Sequence, residues 1–146
     1  MRFTNTITIG RRPEEVFAYL SHLEHLPEWN YALETTTKVT PGPVGVGSRY
    51  HQVRTIPVRR EESLQVVEYD EGRRLTVEGS LDAFRARLEY VLLPQGVATV
   101  LTNTVDLVAS GPLRLVAPVA TRQIRSAVAA NLEVLRQILE RDASSS

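Results

Sequence analysis

The chain has no cysteine, and Lys38 is the one lysine among its 17 basic side chains. The lack of cysteine excludes disulfides, thiolate metal sites and a cysteine nucleophile. Net charge is also missing: 17 Lys and Arg balance 17 Asp and Glu. That balance argues against a nucleic-acid binder, which needs a basic excess. No apolar run approaches the roughly 20 residues of a membrane span. The opening Met1-Arg2-Phe3-Thr4 alternates like a strand and lacks the apolar core of a signal peptide. These absences lead to the expectation of a cytoplasmic protein without a transmembrane segment. The arginine bias reads as a coding preference and carries no functional meaning.

What is present suits one domain over residues 1–146, with 144–146 as a frayed tail. The organising stretch is C-terminal. Ile124, Val128, Leu132, Leu135, Ile138 and Leu139 recur at the spacing of one helix face. Arg122, Arg125, Glu133, Arg136 and Glu140 occupy the other face, where Arg136 and Glu140 can pair across one turn. A helix from Pro118 to Arg141 would be roughly 36 Å long. Nothing close in sequence can cover its stripe, so it must lie on a sheet.

Strands are legible upstream. Phe3, Ile7 and Ile9 alternate with threonines, and Asn5 on that dry face reads as an edge position. Pro13, Glu14 and Glu15 suit a helix start, and Val16, Phe17 and Leu20 give a short amphipathic helix. A second short helix capped by Ser21 runs through Leu23 and Leu26 and is broken at Pro27 to Asn30. From Leu33 the period becomes two. Leu33, Thr35, Thr37 and Val39 share one face of a strand, and Ser48, Tyr50, Gln52, Arg54 and Ile56 share one face of the next. Val58 to Tyr69 reads as a strand, and Asp70-Glu71-Gly72 as its hairpin turn. Phe84, Ala86, Leu88, Tyr90 and Leu92 then point one way. Val97, Thr99, Leu101, Asn103, Val105 and Leu107 form the inner face of a last strand, and Ser110-Gly111-Pro112 leads into the closing helix. The sum is an α+β chain of about seven antiparallel strands around one long helix. A sheet bent that far leaves space that is either packed or hollow.

Catalytic signatures are sparse. Ser48, Ser63, Ser80 and Ser110 lack the context of a nucleophile elbow. His22, His25 and Glu28 would sketch a metal site, but longer-range ligands are missing and solvated surface histidines are the plainer reading, so no metal or cofactor is expected. Glu61 and Glu62 are adjacent on a strand and cannot act together. The informative signal is polar groups on dry faces: Tyr50, Gln52, Arg54, Tyr90, Asn103 and Asn131. Each costs about 1–3 kcal/mol if buried without a partner. They either sit at wet sheet ends or face a pocket. Trp29, the lone tryptophan, is either core or the seal of a pocket mouth. No interior His, Asp or Glu is expected, which leaves Arg54 without a carboxylate.

Three stretches together carry a family resemblance. They are Ile7–Gly10 with Pro13–Leu20 and Pro27-Glu28-Trp29, then Val66–Tyr69 with Arg73–Leu75, and Gly111–Pro118 with Leu132, Leu135 and Glu140. The chain resembles the helix-grip superfamily of START domains and birch-pollen-allergen-like proteins, and is most similar to the polyketide cyclase/dehydrase-like proteins. The resemblance implies a helix-grip fold with a cavity between sheet and closing helix. Pattern and resemblance jointly nominate Trp29, Tyr50, Gln52, Arg54, Phe84, Leu88, Tyr90, Leu101, Asn103, Val128, Asn131 and Leu135 as ligand-binding residues. The implied function is binding or carrying a small hydrophobic or amphipathic molecule, as a monomer or homodimer without nucleic acid. The alternative is a polyketide cyclase/dehydratase-like enzyme using the same cavity. A protein-interaction module would instead need an exposed apolar patch, for which no segment stands out.

Overall fold

A computed structural model describes residues 1–82, 84–109 and 113–144, so Ala83, the expected lead-in Ser110 to Pro112 and the last two serines lie outside the described residues. β1 (Arg2–Ile9) is followed by α1 (Pro13–Leu20), a 3-10 turn (Leu23–His25) and α2 (Leu26–Trp29). β2 (Leu33–Lys38), β3 (Arg49–Arg54), β4 (Arg60–Asp70), β5 (Arg74–Leu81), β6 (Phe84–Gln95) and β7 (Ala98–Val108) come next, and α3 (Leu113–Ser144) closes the chain. The seven strands form one antiparallel sheet in the order β1-β7-β6-β5-β4-β3-β2. This is the helix-grip fold, with α3 packed on the inner face of the sheet.

Alternation sets that inner face. Phe84, Ala86, Tyr90 and Leu92 of β6 are buried, as are Thr99, Leu101, Asn103, Val105 and Leu107 of β7, and every second residue between them is less covered. Val97 is 71% exposed because it falls in the β6–β7 turn rather than on the strand. Against this face α3 buries Leu132, Leu135 and Leu139, which join Val16, Phe17, Leu20 and Leu26 of the short helices in one core. Asn5 does sit on the edge strand, where its Nδ2 donates to Arg125 O at 3.4 Å.

The far end of α3 is tied to the start of α1. Arg136 pairs with Glu140 at 2.7 Å and also with Glu133. Glu140 does more than face water: its Oε2 accepts the Gly10 N–H at 2.8 Å. Arg11 Nη1 donates to Leu139 O at 2.7 Å, bonding a carbonyl near the end of the helix.

Some expectations need correcting. α3 begins at Leu113, five residues before Pro118, so Pro118 lies inside the helix and forgoes one backbone bond. The last residue assigned to this helix is Ser144. Pro27 does not break the second helix; it sits in the first turn of α2, where its missing N–H costs nothing. In β2 the row Leu33, Thr35, Thr37, Val39 is not one face. A bulge between Leu33 and Thr35 shifts the register, so Thr36 is buried with Leu33 while Val39 is 60% exposed.

Candidate functional site

Two adjoining compartments lie between sheet and α3. The inner one holds about 60 Å³ and is walled by Leu26, Trp29, Leu33, Leu64, Leu88 and Leu132, with Gln52, Tyr90 and Asn103 among its polar groups. The outer one holds about 330 Å³ and opens past Tyr31, Ile56, Pro57, Phe84 and Ile124. Asn30, Arg54, Leu81, Val128 and Asn131 belong to both walls and mark the junction. The inner space suits a few waters or a ligand head group. Only the outer one reaches the size usual for a small-molecule site.

Strand pairing builds the polar side of the junction. Thr36 of β2 stands opposite Gln52 of β3, and Gln52 stands opposite Glu62 of β4. All three point inward and are buried. Thr36 Oγ1 donates to Gln52 Oε1 at 3.4 Å, and Gln52 Nε2 donates to Glu62 Oε1 at 2.6 Å. Glu62 Oε2 accepts Arg54 Nε at 2.9 Å and the backbone N–H of Asp82 at 2.5 Å. Both carboxylate oxygens therefore serve only as acceptors, which is the behaviour of the ionised form. Asp82 follows β5 in a left-handed backbone conformation with φ 56°, and its carboxylate lies 2.8 Å from Arg60. The turn at the mouth is thus held by a buried carboxylate and a partly exposed ion pair.

Glu62 corrects the expectation that no interior carboxylate exists. Its partner Arg54 is buried as well, and among the described residues Arg54 Nη2 has no hydrogen-bond partner. The row Glu62, Leu64, Val66 is uniformly buried, so two apolar residues at the same parity were the available signal. Glu61, one residue away, is on the opposite face near His51, at 3.3 Å.

Of the nominated residues, Trp29, Gln52, Arg54, Leu88, Tyr90, Asn103, Val128 and Asn131 meet around the inner compartment, and Phe84 stands at the outer one. Trp29 is part of the inner wall and does not seal the mouth. Leu101 and Leu135, both 0% exposed, sit in solid core and line neither compartment. Tyr50 does not line them either; its buried hydroxyl lacks a partner among the described residues, and burial, with Glu24 and Tyr69 nearby, pushes the phenol up to about 12. Burial alone raises Tyr90, so it too keeps its proton at neutral pH. Asn103 Nδ2 is spent on Glu89 O at 3.1 Å. The residues that pattern reading missed at the junction are Glu62, Asn30 and Leu81.

Among the described residues no group of three or more His, Asp or Glu is placed to hold a metal ion. His22 and His25 share a side, with rings 5.9 Å apart, but each donates Nδ1–H to a backbone carbonyl, Ala18 O and Tyr19 O. No described helix is long and apolar enough to cross a membrane.

Solved structures share this architecture from end to end. TTHA0849 of Thermus thermophilus superposes with a TM-score of 0.78 at 22% identity, covering 100% of both chains. The Zhui aromatase/cyclase of a Streptomyces species gives 0.82 at 13% identity, over 98% of this chain and 95% of its own. A START superfamily protein of Mycobacterium smegmatis gives 0.70 at 17%, over 92% and 98%. Identities this low establish the fold alone. No curated protein matches the sequence. The family model for polyketide cyclase / dehydrase and lipid transport, however, matches residues 1–140, the whole span from β1 through nearly all of α3 that builds both compartments, and the chain belongs to that family.

Proposed function

We propose that the protein binds or carries a small, mainly hydrophobic or amphipathic molecule, with its polar end at the junction and its apolar body in the outer compartment. The observation that carries this reading is Arg54, which lines both compartments of a largely apolar space and whose buried Nη2 has no partner among the described residues. Leaving such a donor unsatisfied costs about 1–3 kcal/mol, and a ligand acceptor would recover it. Phe84, Leu88 and Val128 supply apolar wall along the path, and Ile56 and Tyr31, 46% and 66% exposed, flank the entrance. The family's lipid-transport description supports the same direction.

Native mass spectrometry of the gently purified protein, together with titration of the neutral dye Nile red, tests the reading. Val128→Trp would fill the junction from a half-buried position on α3. The expected result is dye binding by the wild type and at least about tenfold weaker binding by the variant, at unchanged helix content. Equal binding by both proteins would place the dye elsewhere and refute the cavity.

A second reading, a cyclase/dehydratase acting in the same space, draws support from the aromatase/cyclase neighbour and from the interior carboxylate. Such an enzyme needs a base within hydrogen-bond reach of a substrate C–H or O–H. Glu62 lines neither compartment and has both oxygens engaged. Binding is therefore the better supported function. Incubation with a linear poly-β-ketone, followed by mass, separates the two, since a dehydrating cyclase releases water from its substrate.

A further inference from the structure

Resting on the ligand-binding reading, we infer that the cavity selects ligands whose polar end is a neutral carbonyl oxygen and discriminates against carboxylates. A lone buried arginine would ordinarily imply an anionic ligand. Here the charge is already cancelled. Among the described residues Arg54 is the sole cationic side chain on either wall, and Glu62 takes its Nε–H at 2.9 Å. Asp82, on the outer wall, is offset by Arg60 at 2.8 Å. Summed over these two pairs the site is electrically neutral. A carboxylate entering it would add a second anion close to Glu62 in a poorly hydrated space, with no free cation to offset its desolvation.

What remains on offer is hydrogen-bond donation without net charge. Among the described residues Arg54 Nη2 has no partner, Tyr90 lines the inner compartment, and Asn131 lines both. Tyr90 stays protonated at neutral pH because burial raises its phenol. A ketone, quinone or lactone oxygen accepts from such groups and brings no charge. The chemical class is therefore an oxygenated apolar molecule, uncharged at its buried end.

Three probes of one shape isolate the effect: 2-acetonaphthone, 2-naphthoate and 2-ethylnaphthalene, titrated by calorimetry at neutral pH. The ketone should bind about tenfold or more tightly than the carboxylate, and more tightly than the hydrocarbon. Glu62→Gln leaves Arg54 uncompensated, so 2-naphthoate should gain about tenfold while the ketone moves little. Should that variant not fold, the charge-balanced double variant Arg54→Met/Glu62→Met serves: the ketone should lose its advantage over the hydrocarbon, with 2-naphthoate still weak. Carboxylate binding equal to the ketone in the wild type would overturn the inference. So would a folded Glu62→Gln protein with no gain for 2-naphthoate, or a double variant that keeps the ketone preference. Binding of none of the three probes would instead retire the ligand-binding reading itself.

Discussion

Arg54 Nε lies 2.9 Å from Glu62 Oε2, with the two side chains 7% and 1% exposed. The pair is poorly hydrated, and each member depends on the other. Removing one partner from a buried ion pair costs about 3–5 kcal/mol, mostly from the charge left behind. Arg54→Met should destabilise by that amount in urea unfolding. Arg54→Met/Glu62→Met should cost less than the single change, because no orphan charge remains. Additive losses in this double-mutant cycle would show that the two side chains are not coupled.

Leu135 is 0% exposed and packs in the core of α3, sheet and short helices. Leu135→Ala should cost about 2–5 kcal/mol of stability. It lines neither compartment, so Nile red affinity of the folded variant should change less than about threefold. A large affinity change with little loss of stability would move Leu135 from the core to the cavity wall.

Gly79 of β5 has no room for a side chain. A Cβ built there would stand 2.1 Å from Ser63 O on the paired strand and 2.9 Å from Leu64 Cδ2. Gly79→Ala must displace backbone, and a cost of at least about 1–3 kcal/mol is expected in thermal or urea melts. A neutral substitution would mean that β4 and β5 are further apart than their register requires.

Alkaline pH should weaken the fold. Tyr50 is pushed up to about 12, by burial first, and burial raises Tyr90 also. In the unfolded chain both titrate at about 10. The folded state holds these protons more tightly, so their contribution is complete below pH ~10 and is lost as pH rises toward the folded values. The urea midpoint should fall steeply above pH ~10, and Tyr90→Phe should flatten that fall. An identical slope in the variant would remove Tyr90 from the account.

Local chemistry determined most of the architecture. Alternation in β6 and β7 assigns an inner face from adjacent residues alone, because successive strand side chains point opposite ways. The stripe Leu132, Leu135, Leu139 does the same for α3. The inward aim of Gln52, Arg54, Tyr90, Asn103 and Asn131 was legible for that reason. What those groups meet was decided only in three dimensions. Thr36 turns inward because a bulge at Leu33/Thr35 shifts parity, and a bulge depends on the partner strand as much as on its own. Glu62 meets Gln52 through the β3–β4 register, and reaches Asp82 through a turn 20 residues further on. The size of the cavity depends in the same way on how closely α1, α2 and α3 fill one curved face. A side chain's direction is a local property of its strand or helix; its partners, and the space left between them, follow from pairing and packing of segments far apart in the chain.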